Sequence, residues 1–200
     1  MILPDRLSAT HGFTLLELLF VALIVGTVAA IAIPMASNTI GYARLSGDAR
    51  SVTNDVAVAK MRAAADFTRA RLYVDLAGNS HHVDSYVKTG TPGWVARTGP
   101  TYLSEGVSFS YGSLATPPAN TQGTIGQAPA CLDNSGNAIA NTACIVFNSR
   151  GTPIDSSGAA TTTDAVYLTD RTAVYGATVL VSGMIQLWRS NPASASWAKQ

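Results

Sequence analysis

The stretch GFTLLELLFVALIVGTVAAIAIP, residues 12–34, decides how this chain is read. Residues 18–33 carry no charged side chain. A bilayer is crossed by about 20 apolar residues in helical form, and the run comes close to that length. One residue does not suit a plain anchor. Glu17 stands just inside the run, five positions after Gly12. A carboxylate in hydrocarbon is costly unless it is paired, so its presence asks for a partner. Gly26 and Pro34 add a second irregularity. Proline removes a backbone donor and clashes with the preceding turn, at about 3 kcal/mol in a regular helix. A kink or local melting is therefore expected between them, although both residue types are also commoner in membrane helices than in soluble ones.

Three readings compete for this segment. A transmembrane helix accounts for its length. A secretory signal peptide would take residues 1–17 as its polar start, 18–28 as its apolar centre and Ala30-Ile31-Ala32 as its cleavage site. Against it, Asp5 offsets Arg6, Glu17 adds a negative charge, and Pro34 follows close behind the cut. The third reading accounts for more residues. GFTLLELL resembles the type III signal of type IV pilins and type II secretion pseudopilins. That resemblance implies a leader, residues 1–12, removed after Gly12 by a prepilin peptidase. Phe13 would become the N-methylated N-terminus, and Glu17 the fifth residue of the mature chain. It implies that Glu17 pairs with the N-terminal amine of a neighbouring subunit during assembly. The implied partners are the prepilin peptidase, other pilin or pseudopilin subunits and an inner-membrane assembly platform. The implied location is the bacterial inner membrane, crossed once, with the head in the periplasm.

Beyond Pro34 a helical period continues. Leu45, Ala49, Val52, Val56, Ala59, Ala63, Phe67 and Ala70 recur at intervals of three or four, which places them on one stripe. Asp48, Asp55, Lys60, Asp66 and several arginines lie mostly off it. The stripe is made largely of small side chains, so another layer can approach closely. A helix over residues 13–70 would be on the order of 85 Å long and would outrun any bilayer. We therefore divide the chain into a leader (1–12), a transmembrane half-helix (13–36), an amphipathic periplasmic half-helix (37–70) and a β-rich head (71–200).

The head is rich in Thr, Ser, Gly, Ala and Asn. Alternation marks strands at 72–76, 83–88, 107–111, 144–147 and 165–169, and a final hairpin at 178–188 turning at Ser182-Gly183. No helices separate them, so the sheet should be mainly antiparallel. Segments 112–130 and 152–164 read as loops. The expected class is α+β: a pilin-like fold with a long N-terminal helix packed on an antiparallel sheet. Cys131 and Cys144 bracket a short polar loop. In an oxidising compartment they could close a disulfide worth roughly 3 kcal/mol; otherwise they are two small apolar residues. CIVFNSRGTPIDSSG and the C-terminal AVYLTDRTAVYGATVLVSGMIQLWRS resemble the H-type minor pseudopilins and FimT-type minor pilins, through Phe147…Gly151 and Val181-Ser182-Gly183.

Little here points to chemistry. The net charge is +1 and 12% of residues are charged, which gives no electrostatic case for nucleic acid or anionic lipid. Some members of the resembled group bind DNA through a basic segment after the last turn. Residues 184–189 hold only Arg189, which argues against nucleic acid as a partner. His81 and His82 are adjacent in a strand and would face opposite sides, so they read as surface residues rather than chelators. The turns Asp133-Asn134-Ser135-Gly136-Asn137 and Asp155-Ser156-Ser157-Gly158 lack the spacing and closing glutamate of a calcium loop and read as turn residues. No nucleotide, hydrolase or metalloprotease motif is present. We expect no enzyme, no cofactor and no metal. The expected function is that of a minor pilin or pseudopilin subunit. A pilus-associated adhesin or DNA-uptake receptor is the alternative.

Overall fold

A computed structural model describes residues 13–161 and 164–200, with the backbone alone at 34–38. The chain divides into two compact units, before and after Gly41. One helix, α1 (Leu15–Ala65), contributes to both. The helix is unbroken through Gly26 and Pro34, with no melted turn at either.

Within the second unit α1 supplies one wall of the core. Leu45, Ala49, Val52, Val56, Ala59 and Ala63 are all fully buried. The expected stripe is thus correct over these residues, and wrong beyond them. The helix stops at Ala65 rather than near residue 70. Phe67 takes a left-handed backbone (φ 47°). The Thr68 amide then donates to the Ala63 carbonyl at 3.1 Å and the Phe67 amide to the Ala64 carbonyl at 3.4 Å. This is a Schellman closure, with Phe67 in the place usually taken by glycine. Phe67 is 77% exposed, off the stripe, while Ala70 is buried as the first residue of a strand.

Among the described residues ten strands follow, in two antiparallel sheets. β1 (Ala70–Asp75), β2 (Ser80–Val87), β3 (Gly93–Ala96), β5 (Thr142–Phe147) and β6 (Pro153–Ile154) form the first, in the order β3-β2-β1-β5-β6, with β4 (Thr101–Tyr102) also on β2. β7 (Ala165–Thr169), β8 (Val174–Val179), β9 (Ile185–Asn191) and β10 (Ser196–Lys199) form the second, in the order β10-β9-β8-β7. The α+β class with antiparallel sheets is as expected. The strand foreseen at 107–111 is reduced to a single bridge between Ser108 and Thr169. Strands β3, β4, β6 and β10 were not foreseen.

Side chains alternate across each strand. On the first sheet Ala70, Leu72, Val74, Val83, Ala143, Ile145 and Phe147 join the helix stripe in one core. On the second, Val166, Leu168, Tyr175, Ala177 and Val179 complete it. The other face of the second sheet is also covered. Ala165, Tyr167 and Val174 form a smaller cluster with Leu114, flanked by Tyr111, Ile125 and Trp197. So the segment read as a loop at 112–130 is a packed cover. Gln127 brackets Tyr167, accepting from its amide and donating to its carbonyl, both at 2.9 Å. The Tyr167 hydroxyl donates to Gln122 at 2.7 Å, and the Trp197 indole donates to the Thr116 carbonyl at 2.9 Å.

The two turn motifs noted in the sequence meet on the helix. Gly151 and Gly183 both have positive φ (74° and 75°). A Cβ on Gly183 would collide with the Gly151 carbonyl. Lys60 lies over both turns and donates to the Gly183 carbonyl at 2.8 Å. Other polar helix residues beside the stripe are likewise engaged. Asp48 accepts from the Ser104 amide and hydroxyl at 2.8 and 3.0 Å. Asp55 meets Nδ1 of His81 at 2.9 Å.

Candidate functional site

The first candidate is the start of α1. Thr14 precedes the helix, and its hydroxyl accepts from the Glu17 amide at 3.2 Å. Thr14-Leu15-Leu16-Glu17 has the form of a capping box, in which the third helical residue is glutamate or glutamine. A carboxylate in the first turn also faces the positive end of the helix dipole. Glu17 thus has a local reason to stand there, one that the Thr-x-x-Glu pattern carries in the sequence. The segment Leu15–Ile33, 19 residues, is long and apolar enough to cross a membrane, and none of it is buried. Phe13 is 80% exposed. Gly12, and with it the leader, lies outside the described residues.

The second candidate lies on the face of the first sheet turned away from α1. The residues between those of the core point there: Arg71 and Tyr73 on β1, His82, Asp84 and Tyr86 on β2, Trp94 on β3, Cys144 and Val146 on β5. Strand register pairs Arg71 with Asp84, Tyr73 with both His82 and Cys144, and Tyr86 with Trp94. The Arg71 guanidinium is held on three sides. Nε donates to Asp84 Oδ2 at 2.8 Å, Nη1 donates to the Leu132 carbonyl at 2.7 Å, and Cζ lies 4.1 Å from the centre of the Trp94 ring. Asp84 uses its second oxygen on Nε2 of His82 at 3.1 Å, and that imidazole stacks on Tyr73 at 4.7 Å. Burial works to raise the Asp84 pKa, but the bonds from His82 and Arg71 outweigh it and hold it below the usual range. Burial draws Arg71 down from its ordinary value against the pull of Asp84. The pair is ionised at neutral pH.

The cystine positions the lid of this site. Cys131 and Cys144 are bonded, with Cα atoms 4.9 Å apart. The bond fastens the segment after Ala128 to the outer face of β5. The Cys144 amide donates to the Pro129 carbonyl at 2.8 Å, and the Cys131 amide donates to the Thr142 hydroxyl at 3.0 Å. Next along, Asp133 accepts from the amides of Ser135 and Asn137, both at 2.8 Å, as a turn residue. Asp155 does the same for Ser157 and Ala159. Between this lid, residues 154–156, Thr161 and Asp164, and the sheet lies a pocket of about 320 Å³, with Arg69, Arg71, Tyr86 and Trp94 on the sheet side. Asp164 is 3% exposed, and its Oδ2 has no hydrogen-bond partner among the described residues. Desolvation, aided by the charge of Asp155, pushes its pKa up to about 7.

The histidines do face opposite sides of β2, but the surface reading fails for His81. It is 1% exposed, bonded to Asp55 and set edge-on to Phe109. Among the described residues no group of three His, Cys, Asp or Glu is placed to hold a metal ion. Sequence reasoning missed Arg71, Trp94 and Asp164; Asp84 stood out beside the histidines as a metal-like cluster, and the structure gives it to Arg71 and His82 instead. Alternation alone sets Arg71 against Leu72 and Val74, but the register that joins it to Asp84 is not written in either strand. Comparison with protein-family models, with curated proteins and with solved structures finds no match.

Proposed function

We propose that this chain is a minor pilin or pseudopilin of the H/FimT type, a structural subunit assembled through its N-terminal helix into a type II secretion pseudopilus or a type IV pilus. The observation that carries the reading is one carboxylate, Glu17, in the first turn of the otherwise uncharged, exposed and membrane-length segment Leu15–Ile33 of α1, two residues after Phe13. Resemblance of GFTLLELL to the type III signal gives the order of events. The peptidase cuts after Gly12, Phe13 is methylated, and the head stays in the periplasm. In the filament, helices pack against one another. The Glu17 carboxylate, dear in a medium of low dielectric, takes the N-terminal amine of a neighbouring Phe13 as partner. That pairing rewards one axial register over others.

Capping offers a rival account of Glu17, and one substitution separates the two. Glutamine serves at the third position of a capping box as glutamate does, but it carries no charge. Glu17→Gln and Glu17→Leu should both leave the chain in the membrane and both block its incorporation into filaments. Incorporation of Glu17→Gln at the wild-type level would reduce Glu17 to a cap and remove the assembly role. Mass spectrometry of the mature N-terminus tests the rest. Methylated Phe13 supports the reading, and a chain starting at Ile33 would make residues 1–32 an ordinary signal peptide.

A further inference from the structure

Among the described residues the outer-sheet pocket has two polar groups left without a hydrogen-bond partner, one basic and one acidic. The Arg69 guanidinium makes no hydrogen bond or ion pair among the described residues; it lies over the rings of Tyr86 (4.6 Å) and Trp94 (5.8 Å). Asp164 is buried, lines the pocket, and leaves Oδ2 unbonded. The other charged lining groups are already engaged. Arg71 is matched by Asp84, and Asp133 and Asp155 accept from their own turns. An orphaned buried carboxyl oxygen has lost its hydration without gaining a donor, so it marks a place where a bound group would recover free energy. Asp155 adds negative potential at Asp164, which favours a cationic donor over a hydroxyl. Arg69, stacked on aromatic rings and open to solvent, suits a planar carboxylate. The cavity of about 320 Å³ is at the small end of ligand sites, too small for an extended chain. Carboxylates on its walls disfavour phosphate, and the described residues offer no metal cluster.

We propose that this pocket binds a small zwitterion of the α-amino acid class, its carboxylate held by Arg69 and its ammonium by Asp164. Binding would give the Arg69 guanidinium a carboxylate and the orphaned Asp164 oxygen a donor.

The test uses the full chain in detergent micelles, titrated calorimetrically with each of the protein L-α-amino acids. For any that binds, the N-acetyl derivative (no ammonium) and the amide (no carboxylate) follow. Saturable binding by at least one amino acid is expected, weakened about tenfold or more by either block. Asp164→Asn should bind the amino acid and its N-acetyl derivative alike. Arg69→Gln, at an exposed side chain, should bind the acid and its amide alike. No binding at millimolar concentration overturns the proposal. So does binding indifferent to both blocks, or glucuronic acid binding where no amino acid does. If Asp164→Asn fails to fold, unchanged discrimination in Arg69→Gln still overturns it.

Discussion

Substituting Gly183 by alanine should damage the head more than its place in an exposed turn suggests. Three costs add. The residue has φ 75°, where an L side chain pays about 1–2 kcal/mol. The new methyl would run into the Gly151 carbonyl, a backbone atom that cannot swing away as a side chain can. Forced overpacking of this kind costs about 1–3 kcal/mol. The methyl would also lie 3.1 Å from the Lys60 ammonium, whose 2.8 Å bond to the Gly183 carbonyl fastens the turn to α1. Loss of a charged hydrogen bond removes about 1.5–3 kcal/mol. Partial relaxation makes these less than additive, and about 3–5 kcal/mol is expected in total. Gly106 is the control. Its φ is 85°, but nothing lies within 4 Å of an added Cβ, so Gly106→Ala should cost only the backbone term of about 1–2 kcal/mol. Urea unfolding of the full chain in detergent, followed by the fluorescence of Trp94, Trp188 and Trp197, measures both. With an m-value of about 1–3 kcal/mol/M, the two midpoints should separate by about 1 M or more. Equal midpoint shifts for Gly183→Ala and Gly106→Ala would refute the idea that the two turns are locked together on Lys60.

The same unfolding assay checks four further expectations. Arg71→Met leaves Asp84 buried with His82 as its remaining side-chain partner and should cost about 3–5 kcal/mol, while Arg71→Met combined with Asp84→Leu should cost less than the single change; a double variant as damaged as the sum of both singles would sink that account. Replacing Cys131 and Cys144 together by serine should cost about 3 kcal/mol through the freed loop, and an unchanged midpoint would contradict it. Asp164 has a folded pKa of about 7, raised from 3.8, so the folded state holds the extra proton between those values. Its contribution to stability is full below about pH 4 and is lost as pH rises to about 7, on the order of 4 kcal/mol. Asp155, Asp133, Arg69 and Arg71 line the same pocket, and of these the charge of Asp155 adds to the rise. Asp164→Asn should flatten that slope, and an identical slope in the variant would exclude Asp164 as its source. Phe67→Gly should stabilise the head by about 1 kcal/mol, because the left-handed closing residue of α1 is exposed and buries nothing in exchange for its strain; a loss of stability would show that the phenyl ring has a partner in the head.

The helix stripe was legible because a period of three and four carries its meaning locally. Each of Leu45, Ala49, Val52, Val56, Ala59 and Ala63 can be assigned a side without knowing what covers it. The end of the helix was not legible, because the signal for it is a glycine and this chain has Phe67 in that position. The strands at 72–76, 83–88, 144–147 and 165–169 were found by alternation. The two-residue strands β4 and β6 exist only by pairing with neighbours and have no pattern of their own. Polar residues on α1 show the same limit. Asp48, Asp55 and Lys60 look like a solvated face in the sequence, yet each is bound to a segment more than 20 residues away. The turn glycines were noticed as separate motifs. That Gly151 and Gly183 touch is a fact of tertiary structure, and it supplies the physical reason for both.

The outer face of the first sheet calls for an explanation that the core does not provide. The helix-facing side already buries a continuous apolar layer, which is sufficient to fix strand register and the position of α1. A buried ion pair such as Arg71–Asp84 is commonly no more stable than well-packed apolar residues of similar size. The chain nevertheless keeps the pair, surrounds it with Tyr73, His82, Tyr86 and Trp94, and covers it with a lid. The cystine is what makes this arrangement tenable. It fixes Cys131, and the adjacent Leu132 then presents the carbonyl that satisfies Nη1 of Arg71. With Nη1 satisfied, the guanidinium stays flat against Trp94 and forms part of the pocket. Breaking the cystine should therefore act twice. It lowers stability by freeing the loop, and it unseats Arg71 from a ring more than 35 residues before Cys131 in the chain. A face maintained at that expense, beside a carboxylate left unpaired, is better explained by a ligand than by the needs of the fold.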